Sequence, residues 1–114
     1  MVCKKMKKIV EEISVFELKK MIDCKNNLIL LDVRELYEVK IGKINESIHI
    51  PMREVGNRLN ELNPDYEIIV QCKSGIRSAQ ICEFLIYNNF KKVKNLKGGI
   101  LEWSDKIDNT IPKY

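Results

Sequence analysis

The chain has 114 residues, 45% hydrophobic and 32% charged, which is the size of one domain with enough apolar material for one core and rules out a chain disordered as a whole. Eight glycines and prolines exclude a collagen-like or low-complexity polymer, and the longest aliphatic run, residues 28–31, falls far short of the ~20 needed to cross a bilayer. The net charge of +4 resides in Lys4, Lys5, Lys7 and Lys8, leaving sixteen basic and sixteen acidic side chains in residues 9–114, so no basic face for nucleic acid is expected.

Residues 1–8 read as a solvated basic tail and residues 9–114 as one domain. Glu11 and Glu12 interrupt the stretch where a secretory signal would carry its apolar core, so a cytoplasmic protein with no membrane partner is expected. Ser14 and Glu17 form a capping-box pattern, opening a helix with Val15, Leu18, Met21 and Ile22 on its apolar face and Asn26 and Asn27 at its end. Residues 28–31 are too short and too uniformly apolar for an amphipathic helix and read as a buried strand ending at Asp32. A helical turn follows over 35–41, stopped by Gly42, and a second short strand over 47–50 is closed by Pro51. The period predicts a helix over 52–62, stopped by Asn63 and Pro64, and then a third strand over 67–71. After the segment Cys72-Lys73-Ser74-Gly75-Ile76-Arg77-Ser78, a helix is predicted from about 78 to 88 with Ala79, Cys82, Leu85 and Ile86 on one face. A strand over 93–96, a turn at Gly98-Gly99 and a last helix beginning over 100–105 with Trp103 complete the chain. Strands separated by helices imply an α/β fold, a mostly parallel sheet with helices on both faces, whose chemistry lies beyond the carboxyl ends of the strands. Cys72 stands at that edge.

The cysteines fall at positions 3, 24, 72 and 82, with no C-x-x-C pair and one histidine, His49. That spacing argues against a metal site, and free thiols are the expectation in a reducing compartment. Cys82 on an apolar helix face reads as core, as does Trp103, while Cys3, Cys24 and His49 lack catalytic neighbours in sequence. Cys72 differs. Ser74 and Gly75 permit a tight curl whose backbone N–H groups form an anion nest, and the following helix adds its positive end. Lys73 and Arg77 add two positive charges, with no acidic residue between Gln71 and Gln80. A thiol of pKa ~8.5 is only ~3% ionised at pH 7, whereas lowering it to ~6.5 makes it roughly three quarters thiolate. The constellation reads as a nucleophile.

The same residues resemble the rhodanese-like domain, of the single-domain sulfurtransferase type, over nearly the whole chain. Leu30-Leu31-Asp32-Val33-Arg34-Glu35, with Glu38 after it, is similar to the family's D-V-R-E strand end. Residues 42–51 are similar to its G-H-I-x-G-A-x-N-I-P stretch, departing from it at Lys43, Glu46, Ser47 and His49. Cys72 to Ser78 follows its C-x-x-G-x-R-S loop, and Gly98-Gly99 with Trp103 its G-G-x-x-W ending. The resemblance implies a ping-pong thiosulfate sulfurtransferase with Cys72 as catalytic nucleophile and persulfide carrier. Lys73, Ser74, Gly75, Ile76, Arg77 and Ser78 would bind substrate, and an Asp32–Arg34 ion pair would support the loop. It implies no metal or organic cofactor. Its partners would be a small sulfur donor and a cyanide, thiol or protein-cysteine acceptor. The alternative is a persulfide carrier, or a binding module without turnover, serving a protein partner. Cysteine phosphatases on this scaffold resemble H-C-x5-R; here Cys72 to Arg77 is one residue shorter and Gln71 replaces the histidine, so phosphoryl chemistry is not expected.

Overall fold

The computed structural model describes residues 9–24 and 27–114. Its strands are β1 (Glu11–Ile13), β2 (Leu28–Asp32), β3 (Ile48–His49), β4 (Glu67–Gln71) and β5 (Val93–Leu96), and its helices α1 (Val15–Cys24), α2 (Leu36–Ile41), α3 (Ile76–Tyr87) and α4 (Gly99–Lys106). The strands form one sheet in the order β1-β5-β4-β2-β3, with every pairing parallel. The expected α/β architecture is the one found.

Alternation along β4 explains the two cores. Ile68, Val70 and Cys72 face one side, packing with Val33, Val55, Ile81, Cys82 and Leu85; Ile69 faces the other with Leu18, Leu30, Leu96, Ile100 and Trp103. Both sides being covered is why β2 and β4 read as continuous apolar runs rather than alternating ones. α1 opens as its capping box predicts: the Ser14 N–H donates to Glu17 Oε1 (2.9 Å) and the Glu17 N–H to Ser14 Oγ (3.0 Å). Asn26 and the basic tail over 1–8, with Cys3, lie outside the described residues.

Three expectations change. β1 was not anticipated, because three residues reading Glu-Glu-Ile at a sheet edge carry no periodic signal; β1 gains its place by pairing with β5. The stretch 52–62 is not one helix but two 3₁₀ turns, Met52–Asn57 and Leu59–Glu61, interrupted at Arg58, whose φ of −126° leaves helical geometry. Gly56 inside the first turn weakens any longer helix. α3 begins at Ile76, two residues early, because Gly75 takes a left-handed φ of +114° and starts the helix directly behind the cysteine. That shift carries Arg77 and Ser78 into the first turn.

Candidate active site

Cys72 lies just past β4, 1% exposed, with Sγ inside the curl of its own loop. The N–H groups of Gly75 and Ser78 point at Sγ from 3.1 and 3.4 Å, and Ser78 Oγ stands 3.3 Å away. Burial alone pushes the Cys72 thiol up. The Ser78 hydroxyl and the N–H groups of Ser78, Gly75 and Ser74 outweigh it, holding the thiol below its ordinary value. Cys82, the nearest contrast, has burial without such donors and is pushed up to about 12. Cys24 is exposed, and the thiols of Cys24, Cys72 and Cys82 are all free.

The curl is held from behind by α4. The Ile100 N–H donates to the Cys72 carbonyl (2.9 Å) and the Leu101 N–H to that of Lys73 (3.2 Å), so both carbonyls face away from the sulfur. Gly99 makes this approach possible: a Cβ there would lie 2.7 Å from the Cys72 carbonyl oxygen and 2.6 Å from the Lys73 carbonyl carbon, at a φ of +61°. The Gly-Gly turn is thus a back wall to the loop.

Asn95 on β5 is a site residue the sequence reading missed. Its Nδ2 donates to the Gly75 carbonyl (3.0 Å), which leaves Oδ1 to accept from Ser78 Oγ (2.5 Å). A hydroxyl has one proton. With that proton on Asn95, Ser78 Oγ accepts from the Cys72 thiol; for the hydroxyl to donate to the thiolate it must leave Asn95. The backbone N–H groups face no such competition.

The charges differ from the local count. Glu38, remote in sequence and 3% exposed, meets Arg77 in a fork, with Nη1 to Oε1 at 2.7 Å and Nη2 to Oε2 at 2.9 Å. The expectation that no acid opposes the loop is therefore corrected: a reading confined to positions 71–80 could not see a carboxylate brought in by α2. Hydrogen bonds from Arg77 and then from the Glu35 N–H and Tyr114 outweigh burial and push Glu38 down to about 2. Lys73 is half-buried, its Nζ 4.6 Å from the centre of the Tyr114 ring. Ser74 and Ile76 are exposed at the mouth.

Asp32 and Arg34 form a fully buried ion pair at 2.8 Å. They reach the loop at one remove, through the Val33 N–H to the Gln71 carbonyl (3.1 Å) and through Tyr114, whose hydroxyl accepts from Arg34 Nη1 (3.0 Å) and donates to Glu38 Oε2 (2.8 Å). His49 is occupied by the Arg34 carbonyl at 2.6 Å, and Trp103 is buried in the core, as structural roles require. Gln71 is fully buried, and neither of its side-chain polar atoms has a hydrogen-bond partner among the described residues. Among the described residues no cluster of three histidines, cysteines or carboxylates is arranged to hold a metal, and no helix is long and apolar enough to cross a membrane.

The model of the rhodanese-like domain family matches residues 14–106. The Bacillus subtilis protein YtwF, named as a candidate sulfurtransferase, is 38% identical over 104 residues, covering 91% of this chain and 97% of its own. A sulfurtransferase of Allochromatium vinosum is 31% identical over 96 residues, 84% of this chain and 90% of that protein. Among solved structures, SSP1007 from Staphylococcus saprophyticus superposes with a TM-score of 0.78 at 35% identity, covering 86% of this chain and 97% of that one.

Proposed function

The chain belongs to the rhodanese-like domain family, a family of sulfurtransferases and sulfur carriers, and from that footing we propose that it transfers sulfane sulfur through a persulfide on Cys72, with thiosulfate as a competent donor. The observation that carries this reading is the pair of backbone N–H groups, Gly75 and Ser78, aimed at Sγ. In the first half-reaction the Cys72 thiolate attacks the outer sulfur of thiosulfate, the S–S bond breaks, and sulfite leaves with its electron pair. The product is a Cys72 persulfide anion. In the second, an acceptor nucleophile such as cyanide attacks the terminal sulfur and the thiolate leaves, regenerating the start state. The loop N–H groups stabilise sulfur-borne charge at each stage without reorganising. Lys73 and Arg77 hold the donor dianion at the mouth, and residues 9–114 act as one domain in the cytosol, where a free thiol survives.

The test is thiocyanate formation from thiosulfate and cyanide. Cys72→Ser is expected to abolish it in a folded protein, whereas Cys3, Cys24 and Cys82 changed together leave most of the rate; a Cys72→Ser variant retaining that rate would overturn the reading. A carrier role has one observation in its favour. Bacillus subtilis YrkF, named as a candidate sulfur carrier, is 38% identical over 99 residues, with the match spanning 54% of that protein. A carrier uses the same persulfide, and transfer to a protein thiol faster than to cyanide distinguishes it.

A further inference from the structure

Both cations at the loop converge on one side chain that lies outside the family match, which ends at residue 106. We propose that Tyr114 is a positioning residue for anion capture: its hydroxyl sets Arg77 through Glu38, and its ring sets Lys73. The proposal rests on the sulfurtransferase reading for the identity of the anion, not for the geometry.

The hydroxyl is held between two charges. Buried Arg34 gives Nε and Nη2 to Asp32, Nη2 also to the Gly42 carbonyl (2.8 Å), and Nη1 to Tyr114 Oη and the Glu38 carbonyl (3.4 Å). A hydroxyl that accepts from a cation donates more strongly in turn, and this one donates to Glu38 Oε2. Glu38 Oε1 also takes the Glu35 N–H at 2.9 Å. The carboxylate is thus pinned by α2's N-terminus and by Tyr114, and presents one orientation, the fork that faces Arg77. Without the hydroxyl, Oε2 loses the one partner it has besides Arg77 among the described residues, and the buried guanidinium of Arg34 loses an acceptor. Arg77, one-third exposed, then has an anchor free to turn. On its other side the Tyr114 ring lies under the Lys73 ammonium, an attraction that restrains a long side chain otherwise free to swing into solvent. Sγ itself is held by its own loop's N–H groups, so Tyr114 should act on the donor and not on the thiol.

The experiment compares Tyr114→Phe, which keeps the ring, with Tyr114→Leu, which loses both features. Lys113→Ala serves as a control, since among the described residues that side chain pairs with the exposed Asp105 and not with the loop. Two readouts are taken: steady-state kinetics with thiosulfate, and the sulfate concentration that half-protects Cys72 from iodoacetamide, followed by peptide mass. Tyr114→Phe is expected to raise KM for thiosulfate about fivefold, the scale of one ordinary net hydrogen bond. Saturating turnover and the pH profile of unprotected alkylation should stay as in the parent. Tyr114→Leu should raise KM further, the sulfate requirement should rise in the same order, and Lys113→Ala should change neither. Unchanged KM and sulfate protection in both variants would overturn the proposal. So would a matching fall in saturating turnover with a shifted alkylation profile, which marks general support of the fold. If the parent does not turn over thiosulfate, the sulfurtransferase reading fails, and the sulfate series decides Tyr114 alone: weaker protection in the variants upholds it, and absence of protection in the parent overturns it.

Discussion

At the scale of single residues, the sulfur's environment is set by hydrogen bonds more than by net charge. Arg77 is paired with Glu38 and Lys73 with an aromatic ring, so the groups that act directly on Sγ are the N–H donors of the loop and the Ser78 hydroxyl. Ser78→Ala removes the hydroxyl but keeps the amide. It should raise the midpoint of Cys72 alkylation against pH by less than about one unit, because Asn95 already competes for that proton. A larger rise would show that the hydroxyl, not the backbone, dominates. Glu38 gives a second test. Its pKa is depressed from the ordinary 4.5 to about 2, so its contribution is present above about 4.5 and is lost as pH falls toward about 2. Replacing it, Glu38→Gln, should lower stability at neutral pH by on the order of 2–3 kcal/mol and flatten the acid limb in that window. Urea midpoints from pH 7 to 2 read both effects, and an unchanged acid limb would mean the fork is not formed in solution.

At the scale of elements, the loop is a joint between β4, α3 and the start of α4. Gly99→Ala would drive a methyl group into the carbonyls of Cys72 and Lys73, so it should lower Tm and cut turnover together, more than a typical surface change. A variant with parental Tm and turnover would show that α4 is free to move off the loop. Gln71→Met tests the opposite sign: it removes two buried polar atoms that have no partner among the described residues and should leave Tm equal or higher. A Tm loss of several degrees would reveal a partner for that amide. These elements also show what can be read from residues alone. Cys72, Gly75 and the Gly-Gly turn are local patterns, β2 and β4 are apolar runs bounded by turn residues, and β5 is a short stretch closed by the Gly-Gly turn, so all are legible in the sequence. Glu38, Asn95 and Tyr114 were not assigned to the site, since α2, β5 and the segment after α4 meet at the loop only through tertiary packing. β1 was invisible for the same reason: its place is decided by β5 and not by its own three residues.

At the scale of the whole molecule, the parallel sheet brings the ends of β2 and β4 together, so the Asp32–Arg34 pair and the cysteine loop share one edge. The loop there closes on one sulfur atom with N–H donors, and its span from Cys72 to Arg77 is one residue shorter than the phosphatase pattern. Hydrolysis of aryl phosphates should therefore be negligible beside sulfur transfer, and comparable rates would contradict the size argument. The central claim, that Cys72 carries sulfur, is most directly tested by intact mass and peptide mapping after brief exposure to thiosulfate. The account predicts a gain of one sulfur atom, mapped to Cys72 and removed by cyanide. No gain, or sulfur placed on Cys24 or Cys82 with Cys72 unmodified, would contradict it.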